Sequence, residues 1–250
     1  MRKINCKIAW LVLSSSLSLS VGAQSLPASA VGDRIFFIGD STMATKNGYG
    51  DFVCETLKAK AECFNLAKNG RSSKSFRAEG LWGQAIDQMA NNPKQLQTWV
   101  LIQFGHNDQP GKPGRSTDLA TEYPHNLETY VVDARAKGAT PVLVTPLIRR
   151  SFKNGQHQDD LMPWALSMKN VAEKLQVPLI DLHALSKQKV IEVGEDQADR
   201  YAESPKGTPK FDRTHLGPLG ACVFGSIVLS QLPGITGNHL SSSPPKCELQ

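Results

Sequence analysis

The chain has 250 residues, 40% of them hydrophobic and 20% charged, enough to enclose one sizeable core and short for two. Its formal charge of +5 does not argue for a nucleic-acid partner: Arg2, Lys3 and Lys7, three of the 28 basic residues, and none of the 23 acidic ones fall in the first 23 positions, which leaves the remainder near +2. No G-x-G-x-x-G or G-x-x-x-x-G-K-[ST] follows the first apolar strand, which excludes a nucleotide-binding turn there.

The three early cations precede an apolar and small-residue run from Ile8 to Val21, and Val21-Gly22-Ala23 resembles a signal-peptidase site. Residues 1–23 are therefore expected to be a removed signal peptide, with 24–250 a single domain working in a periplasm or secreted from the cell. The run falls short of the roughly 18 apolar residues a spanning helix needs. No later segment reads as transmembrane, so no membrane contact is expected after signal removal. Cys6 leaves with the signal, and Cys54, Cys63, Cys222 and Cys247 remain. An even number in an exported chain suits disulfides; three pairings are possible, and sequence neighbours suggest Cys54 with Cys63 and Cys222 with Cys247. Neither C-x-x-C nor a Cys/His spacing points to zinc, and no metal or organic cofactor is implied.

Ile35 to Ile38 is an unbroken apolar run that suits a strand buried on both faces, and it ends in Gly39-Asp40-Ser41. Helical spacing follows from Gly48 to Lys60, then a strand around Cys63–Ala67 and the turn Asn69-Gly70-Arg71-Ser72-Ser73. A polar helix is expected over about Ser75–Met89, then the strand Thr98–Phe104, which runs into Gly105-His106-Asn107-Asp108. The Gly/Pro/Lys-rich loop up to Thr121 is long enough to face a substrate. A helix over Glu122–Lys137 leads to the strand Pro141–Thr145 and then Pro146-Leu147-Ile148-Arg149-Arg150. Residues 160–176 read as a helix, Val177–Leu182 as a fifth strand, 194–211 lack periodicity, and a last helix runs from about Gly217 to Ser230 before an irregular tail from Pro233. Five strand-helix periods predict an α/β three-layer sandwich, a five-stranded parallel sheet between helices.

In a parallel sheet the ends of successive strands share one edge, where open α/β folds collect their chemistry. That edge would hold Ser41, Gly70, Asn107 and, before the last helix, Asp212 and His215. Acyl transfer needs a hydroxyl, a base, a group that orients the base, and donors for the oxyanion; the set has one candidate for each. Taken singly, Asp212 reads as a helix cap, Asn107 as a loop-stabilising amide and Gly70 as a turn glycine. His106, beside Asn107, has no assigned chemical task, and a structural hydrogen bond is its expected use.

Gly-Asp-Ser-Thr at 39–42, Asn-Gly-Arg-Ser-Ser at 69–73, Gly-His-Asn-Asp at 105–108 and Asp-x-x-His at 212–215 resemble, in order, the four blocks of the SGNH (GDSL-type) hydrolase superfamily. Phe-Gly-His-Asn-Asp-Gln and Thr-Pro-Leu-Ile-Arg-Arg resemble most closely its rhamnogalacturonan and pectin acetylesterase branch. The resemblance implies a flavodoxin-like fold, Ser41 as nucleophile, His215 as base and Asp212 as its orienting partner. It further implies an oxyanion hole from the backbone N–H groups of Ser41 and Gly70 and the Asn107 side chain. The expected activity is removal of acetyl groups from a plant cell-wall polysaccharide by a monomeric enzyme. Arg71, Arg149 and Arg150 are candidate grips for a galacturonate carboxylate, while Trp82 and Trp164 are expected to be core residues rather than sugar platforms. The alternatives are a lipase or thioesterase of the same superfamily, or a non-catalytic carbohydrate-binding module on this fold.

Overall fold

Strand β1, Asp33–Gly39, is buried along its whole length. The computed structural model describes residues 32–248, so the expected signal peptide lies outside the described residues. Side chains of β1 alternate between two cores, as the pleat requires. Ile35 and Phe37 enter one with α1 (Gly50–Leu57) and α7 (Pro218–Thr236); Phe36 and Ile38 enter the other with α3 (Leu81–Ala90), α4 (Glu122–Ala136) and α5 (Met162–Leu175). Each fully buried Phe or Ile contributes about 1.5–3 kcal/mol of burial, and Ile35, Phe36, Phe37 and Ile38 are all fully buried.

The sheet is parallel throughout, with order β2 (Ala61–Asn65), β1, β3 (Thr98–Gln103), β4 (Thr140–Val144) and β7 (Leu179–Ile180). This is the flavodoxin-like three-layer sandwich, and its strand order reverses between β1 and β3, which places a crevice at their carboxyl ends. Trp82 and Trp164 are core residues, each 4% exposed.

Four elements differ from expectation. The polar helix over 75–89 is two helices, α2 (Ser73–Ala78) and α3, because Ser72 caps the first and the chain turns at Glu79-Gly80, where Gly80 has φ 78°. After Arg150 a short antiparallel hairpin, β5 (Phe152–Lys153) with β6 (Gln156–His157), precedes α5. The fifth strand is only two residues long, since Asp181 caps a helix α6 (Leu182–Asp199) that itself bends at Gly194. Helix α7 continues past Ser230 through Pro233 to Thr236. It is long and apolar enough to cross a membrane by length and composition, yet it packs on α1 with Phe224, Val228, Leu229 and Leu232 buried, as a core helix. Disulfides join Cys54 to Cys63 and Cys222 to Cys247, the second tying the tail back to α7.

Candidate active site

Beyond β1 the chain turns sharply: Asp40 O accepts from the N–H groups of Met43 and Ala44. A Cβ at Gly39 would lie 2.6 Å from Gln103 O on the neighbouring strand, so only glycine lets β1 and β3 run together to this point. The turn is braced from below by a buried relay. Tyr49 Oη donates to Gln103 Oε1 at 2.6 Å, Gln103 Nε2 donates to Thr42 Oγ1 at 2.6 Å, and Thr42 donates to Asp40 Oδ1 from its hydroxyl at 2.8 Å and its N–H at 2.9 Å. Burial disfavours the charged form of Asp40, but the neighbouring His106 ring and the Thr42 hydrogen bonds outweigh it and hold the carboxyl below its ordinary pKa. Asp40 Oδ2 lies 3.3 Å from His106 Nδ1, an ion-pair separation without hydrogen-bond alignment. Burial pushes the His106 imidazole below its usual pKa despite that carboxylate. His106 thus stands behind the Ser41 turn with neither ring nitrogen in an aligned hydrogen bond, unlike the structural hydrogen bond expected of it.

Ser41 Oγ lies 2.9 Å from His215 Nε2, and His215 Nδ1 lies 3.1 Å from Asp212 Oδ2. The other Asp212 oxygen accepts the N–H groups of Thr214 and His215, both at 2.7 Å, so one carboxylate fixes both the turn and the ring. Burial opposes ionisation of Asp212, and the His215 N–H, the His215 ring and the Thr214 N–H together prevail, leaving its pKa lowered. The structure brings the other candidates to the same edge. Gly70 has φ +76°, a left-handed conformation that favours glycine. Among the described residues neither the Ser41 nor the Gly70 backbone N–H donates a hydrogen bond to the protein. Asn107 Nδ2 donates to Arg71 O at 3.0 Å, which leaves its second amide hydrogen free, and Asn107 Oδ1 is 3.4 Å from Arg115 Nη1.

The arginines expected to grip a carboxylate have other partners. Arg150 is wholly buried and is not a substrate ligand in this structure: its Nη2 donates to His215 O at 2.8 Å and Asp212 O at 3.3 Å, and its Nη1 to Thr214 O at 3.3 Å. Burial lowers its pKa to about 10, and the charge is retained with help from Asp212 and Asp199. Arg150 is therefore the clamp of the loop that carries Asp212 and His215. From the outside Arg213 holds the same loop through Asp199, at 2.8 and 3.0 Å. Arg71 directs Nε and Nη2 to Glu79 Oε2 at 2.9 and 2.7 Å. Arg149 is engaged by Asp160 at 3.1 Å and by Gln109 Oε1 at 3.2 Å. Adjacent arginines look alike in sequence; only the return of the 212–215 loop over β4 separates their fates.

The loop from 109 to 121 adds residues that motif spacing did not single out. It is pinned by Asp108, whose Oδ1 accepts from Ser73 Oγ at 2.5 Å and Thr117 Oγ1 at 3.2 Å. Burial drives the Asp108 carboxyl up to about 7 against those hydrogen bonds. The pinned loop brings Arg115 Nη1 within 3.3 Å of Gly70 O and sets Lys112 Nζ on His106 O.

A serine, an imidazole and a carboxylate in hydrogen-bonded series, with free N–H groups beside the serine, form the constellation of acyl transfer. Residues 37–221 match the GDSL-like lipase/acylhydrolase family. The chain belongs to that family. It is thereby a carboxylic ester hydrolase, and its relatives narrow the comparison. It is 34% identical over 203 residues to a probable rhamnogalacturonan acetylesterase, YesY, of Bacillus subtilis (strain 168), covering 78% of this chain and 90% of the relative. Against the rhamnogalacturonan acetylesterase RhgT of the same strain it is 32% identical over 210 residues, covering 78% and 87%. Among solved structures, the YXIM_BACsu protein of Bacillus subtilis superposes with a TM-score of 0.65 at 22% identity. That match covers 82% of this chain and 58% of the other protein, and it shows a shared fold.

Proposed function

We propose that this family member is an exported, monomeric acetylesterase that removes acetyl groups from pectic polysaccharide through Ser41, His215 and Asp212. The observation that carries the reading is the continuous series Ser41 Oγ, His215 Nε2, His215 Nδ1, Asp212 Oδ2, at 2.9 and 3.1 Å, joined to relatives that act on acetylated rhamnogalacturonan by name. In the first step Ser41 Oγ bonds to the acetyl carbonyl carbon as its proton passes to His215 Nε2. The Ser41 and Gly70 N–H groups and the Asn107 amide receive the oxyanion. The carbon–oxygen bond to the sugar then breaks, and His215 returns the proton to the departing hydroxyl. Water, giving a proton to His215, attacks the acetyl-serine; acetate leaves and Ser41 regains its hydrogen. Asp212 holds the imidazole with Nδ1–H directed to itself and stabilises the ring when it is charged.

The test is acetate release from acetylated rhamnogalacturonan, acetylated homogalacturonan and acetylated xylan by wild type and Ser41→Ala. Release from a pectic polymer by wild type, lost in Ser41→Ala with an unchanged melting temperature, is the expected result. Release from xylan alone would remove the pectic assignment. Hydrolysis of octanoyl but not acetyl esters would move the chain to the lipase or thioesterase reading.

A further inference from the structure

Among the cations at the catalytic edge, Arg115 stands apart. Arg71 and Arg149 each face a carboxylate, Arg150 is enclosed among three carbonyls, and Lys112 is seated on His106 O. Arg115 has no carboxylate partner among the described residues: its Nη1 makes two long contacts, 3.3 Å to Gly70 O and 3.4 Å to Asn107 Oδ1, and its Nε and Nη2 make none. The side chain is half-buried, so its charge is only partly screened by water. The loop that holds it is built: Ser116 Oγ donates to Gln109 O and accepts from the Lys112 N–H, Arg115 N donates to Lys112 O, and Thr117 N donates to Asp108 O. A guanidinium fixed against two oxyanion-hole residues, with one edge unoccupied, is a ready bidentate site for an anion bound beside the reacting acyl group.

We propose that Arg115 is the specificity-determining residue that reads the carboxylate of a uronic acid whose own hydroxyl carries the acetyl group. The inference rests on the acetylesterase reading above and refines its substrate. A galacturonate bearing an acetyl on a ring hydroxyl carries its carboxylate on the same ring, so the cation that reads it must border the acyl site, as Arg115 does through Gly70 and Asn107. Arg71 and Arg149 already have carboxylate partners in Glu79 and Asp160.

The experiment compares acetylated polygalacturonate with the same polymer after methyl esterification of its carboxyls, using wild type, Arg115→Gln and Arg115→Lys, with melting temperatures taken in parallel. Wild type is expected to favour the free acid in kcat/KM by about tenfold or more, the size of one charged hydrogen-bonded contact. Arg115→Gln should bring that ratio close to one, and Arg115→Lys should keep part of it. A residue that merely oriented the Asn107 amide would lower both polymers alike, so an unchanged ratio in Arg115→Gln overturns the proposal. A wild-type ratio near one overturns it as well. Failure of wild type to release acetate from either polymer overturns the proposal, and failure to hydrolyse p-nitrophenyl acetate as well overturns the acetylesterase reading on which it stands.

Discussion

Arg150 and Arg149 are chain neighbours with opposite consequences. Removing the Arg150 guanidinium leaves three partly buried carbonyls without this donor and loosens the loop that aims Asp212 and His215. Each orphaned group costs about 1–3 kcal/mol, so Arg150→Met should lower unfolding stability by roughly 3 kcal/mol and kcat at least tenfold, with KM less affected. Arg149 pairs with a half-exposed Asp160, and Arg149→Met should cost about 1 kcal/mol or less. Urea unfolding and steady-state kinetics on the two variants separate the clamp from the surface pair. In the proposed mechanism Asn107→Ala removes one oxyanion donor, and it should reduce kcat roughly 100- to 1000-fold while leaving measurable turnover. That Ser41, His215 and Asp212 meet at one edge was legible in the sequence, because a three-residue gap lets Asp212 meet His215 within one turn and because Ser41 ends a buried strand. The clamp was not, since it depends on which of two identical side chains the 212–215 loop covers. Nor was the brace Tyr49–Gln103–Thr42, because a Gln inside a strand advertises no partner 61 residues away.

At the scale of elements, strands β1, β3 and β4 were readable from continuous apolar runs, and the helices between them from one-face spacing. What escaped were features set by caps and long-range contacts. The break between α2 and α3 comes from the Ser72 capping box and the turn at Glu79-Gly80. The start of α6 comes from the Asp181 side chain accepting from Ala184 N. The two disulfides constrain elements differently. Cys54–Cys63 spans 9 residues between α1 and β2, whereas Cys222–Cys247 spans 25 and anchors a tail with little regular structure. Loop-closure entropy assigns about 2.6 kcal/mol to the first and about 3.5 kcal/mol to the second. Paired Cys-to-Ser replacement should therefore destabilise more at 222 and 247 than at 54 and 63. Calorimetry of the two double variants would show the order, and a reversed order would mean that the tail contributes little to the folded state.

For the molecule as a whole, the carboxylates with displaced pKa values pull stability in opposite directions with pH. Asp40, Asp199 and Asp212 have lowered pKa values, so what their pairing contributes is present above the ordinary carboxylate value and is lost as pH falls below it through their lowered ones. His106, also lowered, loses stability as pH falls below its ordinary value of 6.5. Asp108 is the exception: raised from 3.8 to about 7, it keeps its proton in the folded chain while the unfolded chain ionises. Stability from this group therefore falls as pH rises from about 4 to about 7 and is level above that. The difference between wild type and Asp108→Asn in urea midpoint isolates it from the other groups; it should drift against wild type across that window, and a constant difference would remove Asp108 as the cause. The proposed function is tested most directly at Ser41. The measurement is mass spectrometry of wild type, Ser41→Ala and His215→Ala after reaction with a serine-directed fluorophosphonate, with residual esterase activity followed in parallel. One adduct is expected, on the peptide containing Ser41, forming in step with loss of activity, much slower in His215→Ala and absent in Ser41→Ala. An adduct on another residue, or activity that survives full labelling of Ser41, would contradict it.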